Sequence, residues 1–153
     1  MKVFFIFDMK LEFVKLYQDN KRVLFNILKQ IYFLDRDEIQ YGQNLFYQLI
    51  NKIDKESIDT KIYIDFHRNI SYSKRKGTHY INNIYRGEIS RMSIKSTYIK
   101  LETEQEFSTF FEILKNFSNN YFVCDFENQD FFFITELDST NFSKFTKYAK
   151  KLV

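Results

Sequence analysis

The residues that could do chemistry are few and scattered. Two histidines, His67 and His79, flank the basic stretch Lys74-Arg75-Lys76-Gly77, and Asp65 lies two positions before His67. The run Lys61-Ile62-Tyr63-Ile64-Asp65-Phe66 alternates with the two-residue period of a half-buried strand. A strand there puts Asp65 and His67 on one face, and a carboxylate beside an imidazole can orient a general base. No nucleophile motif, glycine-rich phosphate loop or spaced metal-ligand set accompanies the pair. Asp125 and Glu127 also fall on one face and, with Asp65, make a conceivable divalent-ion set of the nuclease kind. Carboxylates leading into a polar hairpin turn are the ordinary reading of the same residues. Cys124, between Val123 and Asp125, reads as a small core residue. As the single cysteine it excludes an intrachain disulfide and a CxxC site, and it fits a reducing compartment.

Two further sets are better suited to binding than to reaction. Between Arg68 and Lys100 eight basic residues stand against Glu88 alone, a surplus of seven in a chain whose net charge is +3. Interleaved with Tyr72, Tyr80, Tyr85 and Tyr98, they could neutralise phosphates and stack bases. Solvated basic strand faces look the same. The second set is an aromatic pair, Phe13 and Tyr17, spaced i and i+4 and therefore side by side on a helix. Aromatic residues are the usual anchors of protein interfaces.

The elements that must position these residues begin with Val3-Phe4-Phe5-Ile6-Phe7. Five apolar residues in succession predict a central strand, and Asp8 is suited to cap the helix that follows. From Met9 the spacing turns helical, with Leu11 and Val14 on one ridge and Phe13, Leu16 and Tyr17 on another. Together they cover more circumference than one core contact needs, which leaves one ridge to face outward. After Asp19-Asn20, a second helix carries Val23, Leu24, Ile27, Leu28 and Ile31 toward the core. Leu34 to Asp37 is a polar-ended turn, and Glu38 to Ile53 is helical again. Asp54 to Thr60 reads as a charged linker. The segments Tyr80 to Arg86, Glu88 to Ser93 and Thr97 to Leu101 suggest an antiparallel meander. Thr103 with Glu106 forms a capping box for a helix through Phe117. Tyr121 to Phe126 and Phe131 to Thr135 make a hairpin, and a last helix starts at Asp138 or Ser139.

At 153 residues the chain is one domain, 1–153, able to bury roughly two-thirds of its unfolded surface. The fold class is α/β or α+β, a mixed β-sheet with helices packed against it. Aromatics reach 20% through 19 Phe and 11 Tyr, with no Pro or Trp. An AT-rich genome produces such a bias too, so single Phe and Lys residues carry little weight. No apolar run approaches the roughly 20 residues of a membrane span, and no signal-peptide pattern opens the chain. A cytoplasmic protein is expected.

The order of several short pieces is itself informative. Met9-Lys10-Leu11-Glu12-Phe13 with Tyr17, Val23-Leu24-Phe25, Ile84-Tyr85-Arg86, Phe110-Phe111-Glu112-Ile113-Leu114-Lys115 and Asp125-Phe126 occur in sequence across nearly the whole chain. In order and spacing they resemble the SirA family, the sporulation inhibitors of replication. The resemblance implies a non-enzymatic protein without cofactor that binds the N-terminal domain of DnaA, the replication initiator, as a monomer in a 1:1 complex. It implies no membrane and no direct nucleic-acid contact. The family's surface uses an aromatic pair on the first helix, which Phe13 and Tyr17 match. It also uses a Gln-x-x-Tyr arrangement after the second helix; here Tyr47 is the aromatic and Asn44 or Gln43 the amide. The alternative from another class is a nucleic-acid binder using the basic 68–100 meander.

Overall fold

The computed structural model describes residues 1–34 and 39–137, and its centre is the strand that the apolar opening predicts. Strand β1, Lys2–Asp8, is followed by helices α1, Leu11–Tyr17, α2, Lys21–Tyr32, α3, Ile39–Leu49, and α4, Lys55–Phe66. Then come β2, Tyr72–Arg75, β3, Thr78–Asn83, β4, Glu88–Ile94, and β5, Ile99–Thr103. Helix α5, Thr109–Leu114, the hairpin of β6, Tyr121–Asp125, and β7, Asp130–Phe133, and a 3-10 turn over Ile134–Glu136 complete the described chain. The seven strands form one sheet in the order β2-β3-β4-β5-β1-β6-β7, with every ladder antiparallel. Helices packed on a sheet are as the sequence implies, and the antiparallel ladders make the architecture α+β.

Alternation along β1 divides the core in two. Phe4 and Ile6 join Ile58 and Ile62 of α4 and Phe110, Phe111 and Leu114 of α5 on one face. Phe5 and Phe7 join Leu24, Phe25 and Leu28 of α2 and Leu49 of α3 on the other. Strand β6 repeats the division, with Tyr121 and Val123 on the first face and Phe122 and Cys124 on the second. Both strands are therefore covered twice, as continuous apolar runs require. The thiol of Cys124 is buried, and burial pushes its pKa up.

The meander and the hairpins fall where turn chemistry puts them. Lys76 and Gly77 have φ of 50° and 81°, the two positive values of a tight I′ connection between β2 and β3. In the β6–β7 hairpin, Asp125 accepts hydrogen bonds from the Asn128 backbone N–H at 3.1 Å and side-chain amide at 2.7 Å.

Several expectations are corrected. The segment 55–66 is helix, not linker and strand. Ile62, Ile64 and Phe66 mimic a two-residue period, but the buried positions are Ile58, Asp59 and Ile62, with Phe66 packed against the same cluster, a spacing close to four. Asp54 caps this helix, its carboxylate accepting from the Ser57 N–H at 3.2 Å. Asp8 is not a cap: α1 is preceded by Lys10 without a side-chain cap, and Asp8 closes β1, where Ser118 donates to it. Thr103 lies buried in β5, and the cap of α5 is Ser108, which accepts from the Phe110 N–H at 3.2 Å. Helix α3 stops at Leu49 because Ile50 pairs with Met9 beyond the end of β1. In α2 the buried stripe includes Phe25, while Val23 is exposed. The expected C-terminal helix and most of the turn at Leu34 to Asp37 lie outside the described residues.

Replacing Asp54 by Ala is expected to cost about 1 kcal/mol, the usual value of an N-cap, measured as a shift of the urea midpoint. An unchanged midpoint would show that the carboxylate does not hold the start of α4.

A candidate partner-binding surface

Helix α1 is seven residues long, too short to stand alone in water. Its position is imposed from outside. The Met9 N–H donates to the Asn120 carbonyl and the Lys10 N–H to the Leu49 carbonyl, both at 3.0 Å. The Asn51 N–H donates to the Asp8 carbonyl at 2.7 Å. The start of α1 is thus hydrogen-bonded to the end of α3 and to the loop before β6. At its other end, the Asn20 N–H donates to the Tyr17 carbonyl at 2.9 Å and turns the chain into α2.

No residue of α1 is fully buried. Phe13, Val14 and Tyr17 are partly buried against the α2–α3 side of the core, each resting one side of its group on that cluster. Leu11 and Leu16 face outward, 53% and 60% exposed. The outward ridge is therefore Leu11 and Leu16 with Glu12 and Lys15 between them. Phe13 and Tyr17 lie side by side along the flank, as their spacing predicts, and they are more deeply seated than an outward ridge would be. The exposure of Leu11 and Leu16 is what ridge counting missed; it follows from their position opposite 13, 14 and 17 on the helix.

On α3, Asn44 is exposed and Tyr47 is 46% exposed, with the Lys52 ammonium 5.7 Å from its ring. Gln43 is exposed at the rim of an apolar cavity of about 230 Å3 lined by Phe5, Phe7, Phe46 and Tyr98. Leu11 and Leu16 on α1, Val23 on α2 and Tyr41 and Tyr47 on α3 are exposed apolar or aromatic side chains of this layer. The two predicted groups, Phe13 with Tyr17 and Tyr47 with Asn44 or Gln43, stand on neighbouring helices joined at the Lys10–Leu49 hydrogen bond.

The candidate chemical sites resolve into structural devices. Asp65 is exposed on α4, and His67 turns its Nδ1 to the Tyr63 and Ile64 carbonyls at 3.0 Å, ending the helix. Among the described residues no three His, Cys, Asp or Glu side chains are grouped to hold a metal ion. Asp125 is committed to its own turn. The segment's other histidine, His79, is fully buried between Tyr72 and Asp59, at 2.6 Å to each. Lys55 reaches the second Asp59 oxygen at 2.5 Å, one helical turn away. Burial pushes the Tyr72 hydroxyl up to about 12, with the Asp59 charge adding to the effect, so it donates to Nδ1 while Nε2–H donates to Asp59. Burial likewise lowers the pKa of His79, against the opposing pull of Asp59. The chain Lys55–Asp59–His79–Tyr72 ties α4 to β2 and β3. The Lys55 and Asp59 spacing of four was its signal in the sequence, hidden by the reading of Asp54 to Thr60 as a linker.

Glu88, the lone acid of the basic stretch, is buried as well. Its carboxylate accepts from the hydroxyls of Ser90, Ser108 and Thr109 and from the Thr109 N–H, pinning the start of α5 to β4. The basic residues themselves divide between the sheet faces. Lys74 lies 5.8 Å over the Tyr63 ring on the α4 side, and Arg86 lines a cavity of about 380 Å3 with Glu112. Arg91 is on the opposite face, held by Glu102 at 2.6 Å, and this pair raises the pKa of the arginine and lowers that of the glutamate.

Among the described residues, then, the polar clusters around His79, Glu88 and Asp125 serve the fold. The family model for the sporulation inhibitor of replication protein SirA matches residues 2–138, and the chain belongs to that family. No curated protein matches it. No helix among the described residues is long and apolar enough to cross a membrane.

Two outcomes are expected. Phe13→Ala should cost about 1–2 kcal/mol of stability, roughly half the loss of a fully buried Phe, read from chemical denaturation. A loss of 4 kcal/mol or more, the full value of a core Phe, would place the ring in the core. Because the folded pKa of His79 lies below its ordinary 6.5, the unfolded chain takes up the proton first. Stability is then full above 6.5 and declines as the pH falls from there toward the depressed folded value. Melting temperatures followed downward from neutral pH should show that decline, with the His79 ring still neutral by NMR. A rise in stability instead would mean that His79 is held as a cation by Asp59.

Proposed function

We propose that this protein inhibits the initiation of chromosome replication by binding the N-terminal domain of the initiator DnaA. The contact is made by Phe13 and Tyr17 of α1, extended by Tyr47 and by Asn44 or Gln43 of α3. Family membership supports the replication role. The observation that carries the surface is the seating of α1: two neighbouring aromatic rings, each partly buried, on a helix none of whose residues is fully buried.

Such seating suits an anchor. A ring already braced on one side loses little side-chain freedom on binding, and its free side offers apolar area of the kind that dominates interface energies. Leu11 and Leu16 beside it supply surface that excludes water from the contact. The mechanism is occlusion: an aromatic patch covers the DnaA surface that otherwise recruits the partners of ordered assembly at the origin. The reading needs no bond making, cofactor or nucleotide, and it describes a monomer acting as a single domain in a 1:1 complex.

The test is a calorimetric titration with the isolated N-terminal domain of DnaA from the same genome. Saturable binding is expected, weakened at least tenfold by Phe13→Ala and by Tyr17→Ala in protein shown to be folded, and unaffected by Arg91→Gln. Asn44→Ala and Gln43→Ala compared side by side identify the amide, since the contacting one alone should weaken binding. Absence of binding by the unsubstituted protein, or full binding by folded Phe13 and Tyr17 variants, would overturn the proposal.

A further inference from the structure

The sheet is covered unequally. Around β1 and β6 both faces are packed, but among the described residues no helix covers the outer face of β2, β3 and β4. The burial alternation of β4 records this: Glu88, Ser90, Met92 and Ile94 point to α4 and α5, while Ile89 and Arg91 are exposed. Cross-strand register builds a row across the open face, in which Ser73 is opposite Tyr80, Tyr80 opposite Arg91, and Arg91 opposite Glu102. Arg75 places its guanidinium 5.7 Å from the centre of the Tyr80 ring. A shallow depression of about 220 Å3 lies here, and Ser73, Arg75, Tyr80, Asn82 and Arg91 are in its wall.

From this arrangement we infer that the open face of β2–β5 binds single-stranded nucleic acid, with Tyr80 as a stacking platform for a base and Arg75, Arg91 and Lys100 as contacts for the backbone phosphates. The charge balance selects the occupant. Three cations share the face with one carboxylate, Glu102, which stands between Arg91 at 2.6 Å and Lys100 at 3.8 Å. A surplus of two positive charges remains on a surface with an aromatic ring at its centre and hydrogen-bonding Ser73 and Asn82 beside it. A flat strand face with one ring and flanking guanidiniums accepts an unpaired base and its phosphates; a duplex keeps its bases stacked inside and offers the ring nothing. The surface is separate from α1 and α3 and does not depend on the proposed DnaA contact.

Fluorescence anisotropy with a labelled oligo-dT tests the assignment. The expected result is saturable binding at low salt that weakens as salt rises, with a slope of about 0.7 per phosphate contacted. Tyr80→Ala should reduce affinity about tenfold, whereas Tyr80→Phe, which keeps the ring, should retain it. Arg75→Gln, at an exposed position that leaves the core untouched, should weaken binding and flatten the salt slope. Phe13→Ala should bind the oligonucleotide as the unsubstituted protein does. The inference is overturned if no saturable binding appears at low salt, if folded Tyr80→Ala and Arg75→Gln both bind normally, or if a duplex of the same length binds as tightly as the single strand.

Discussion

Burial of β1 on both faces is the constraint from which the rest follows. A strand of consecutive large apolar residues cannot leave either side to water. Phe4 and Ile6 demand one covering layer, and α4 and α5 supply it. Phe5 and Phe7 demand another, and α1, α2 and α3 supply that. The outer strands β2 to β4 turn mostly polar residues outward, among them Ser73, Arg75, Asn82 and Arg91 with Ile89 the apolar exception, and need only one cover. Their free face is a direct result of that alternation, as the crowded helical layer on the other half of the same face is a result of β1.

The buried polar groups obey the same logic in reverse. Asp59, His79 and Glu88 lie inside the fold, and each has its hydrogen-bonding capacity met by neighbours from other elements. Among the described residues no buried side-chain polar atom lacks a partner. Such networks add little net energy compared with apolar burial, but breaking one partner leaves a costly orphan. They therefore specify which helix lies on which strand. A chain with two cores and many interchangeable Phe side chains gains definition from these few directional contacts.

Much of the architecture was readable from residue patterns. The central strand, the second helix, the meander and the β6–β7 hairpin all announce themselves through runs, periodicity or turn residues. The failures share a cause. Ile62, Ile64 and Phe66 fit a period of two as well as Ile58, Ile62 and Phe66 fit a period near four, and only packing against β4 decides between them. Thr103 followed by Glu106 satisfies the rule for a cap, but β1 requires Thr103 as a ladder partner. At the candidate surface, Phe13 and Tyr17 were legible as neighbours. Their depth was not, because it is set by Lys10 meeting Leu49 and Met9 meeting Asn120, contacts between segments far apart in the chain. The separation of the basic residues onto two faces was hidden for the same reason: a surplus of charge along a sequence carries no statement about the side of the sheet on which each residue emerges.

The ladder partners of β1 are β5 and β6, which lie toward the opposite end of the described chain. During synthesis this apolar strand emerges before either of its partners. It must wait, unpaired, while helices α1 to α4 and the β2–β4 meander emerge, the last of these able to close on local contacts alone. Non-local pairing of this sort is slow and leaves a sticky segment exposed in the meantime. The five residues that organise the finished molecule are thus also the ones that a nascent chain leaves without ladder partners until β5 and β6 have emerged.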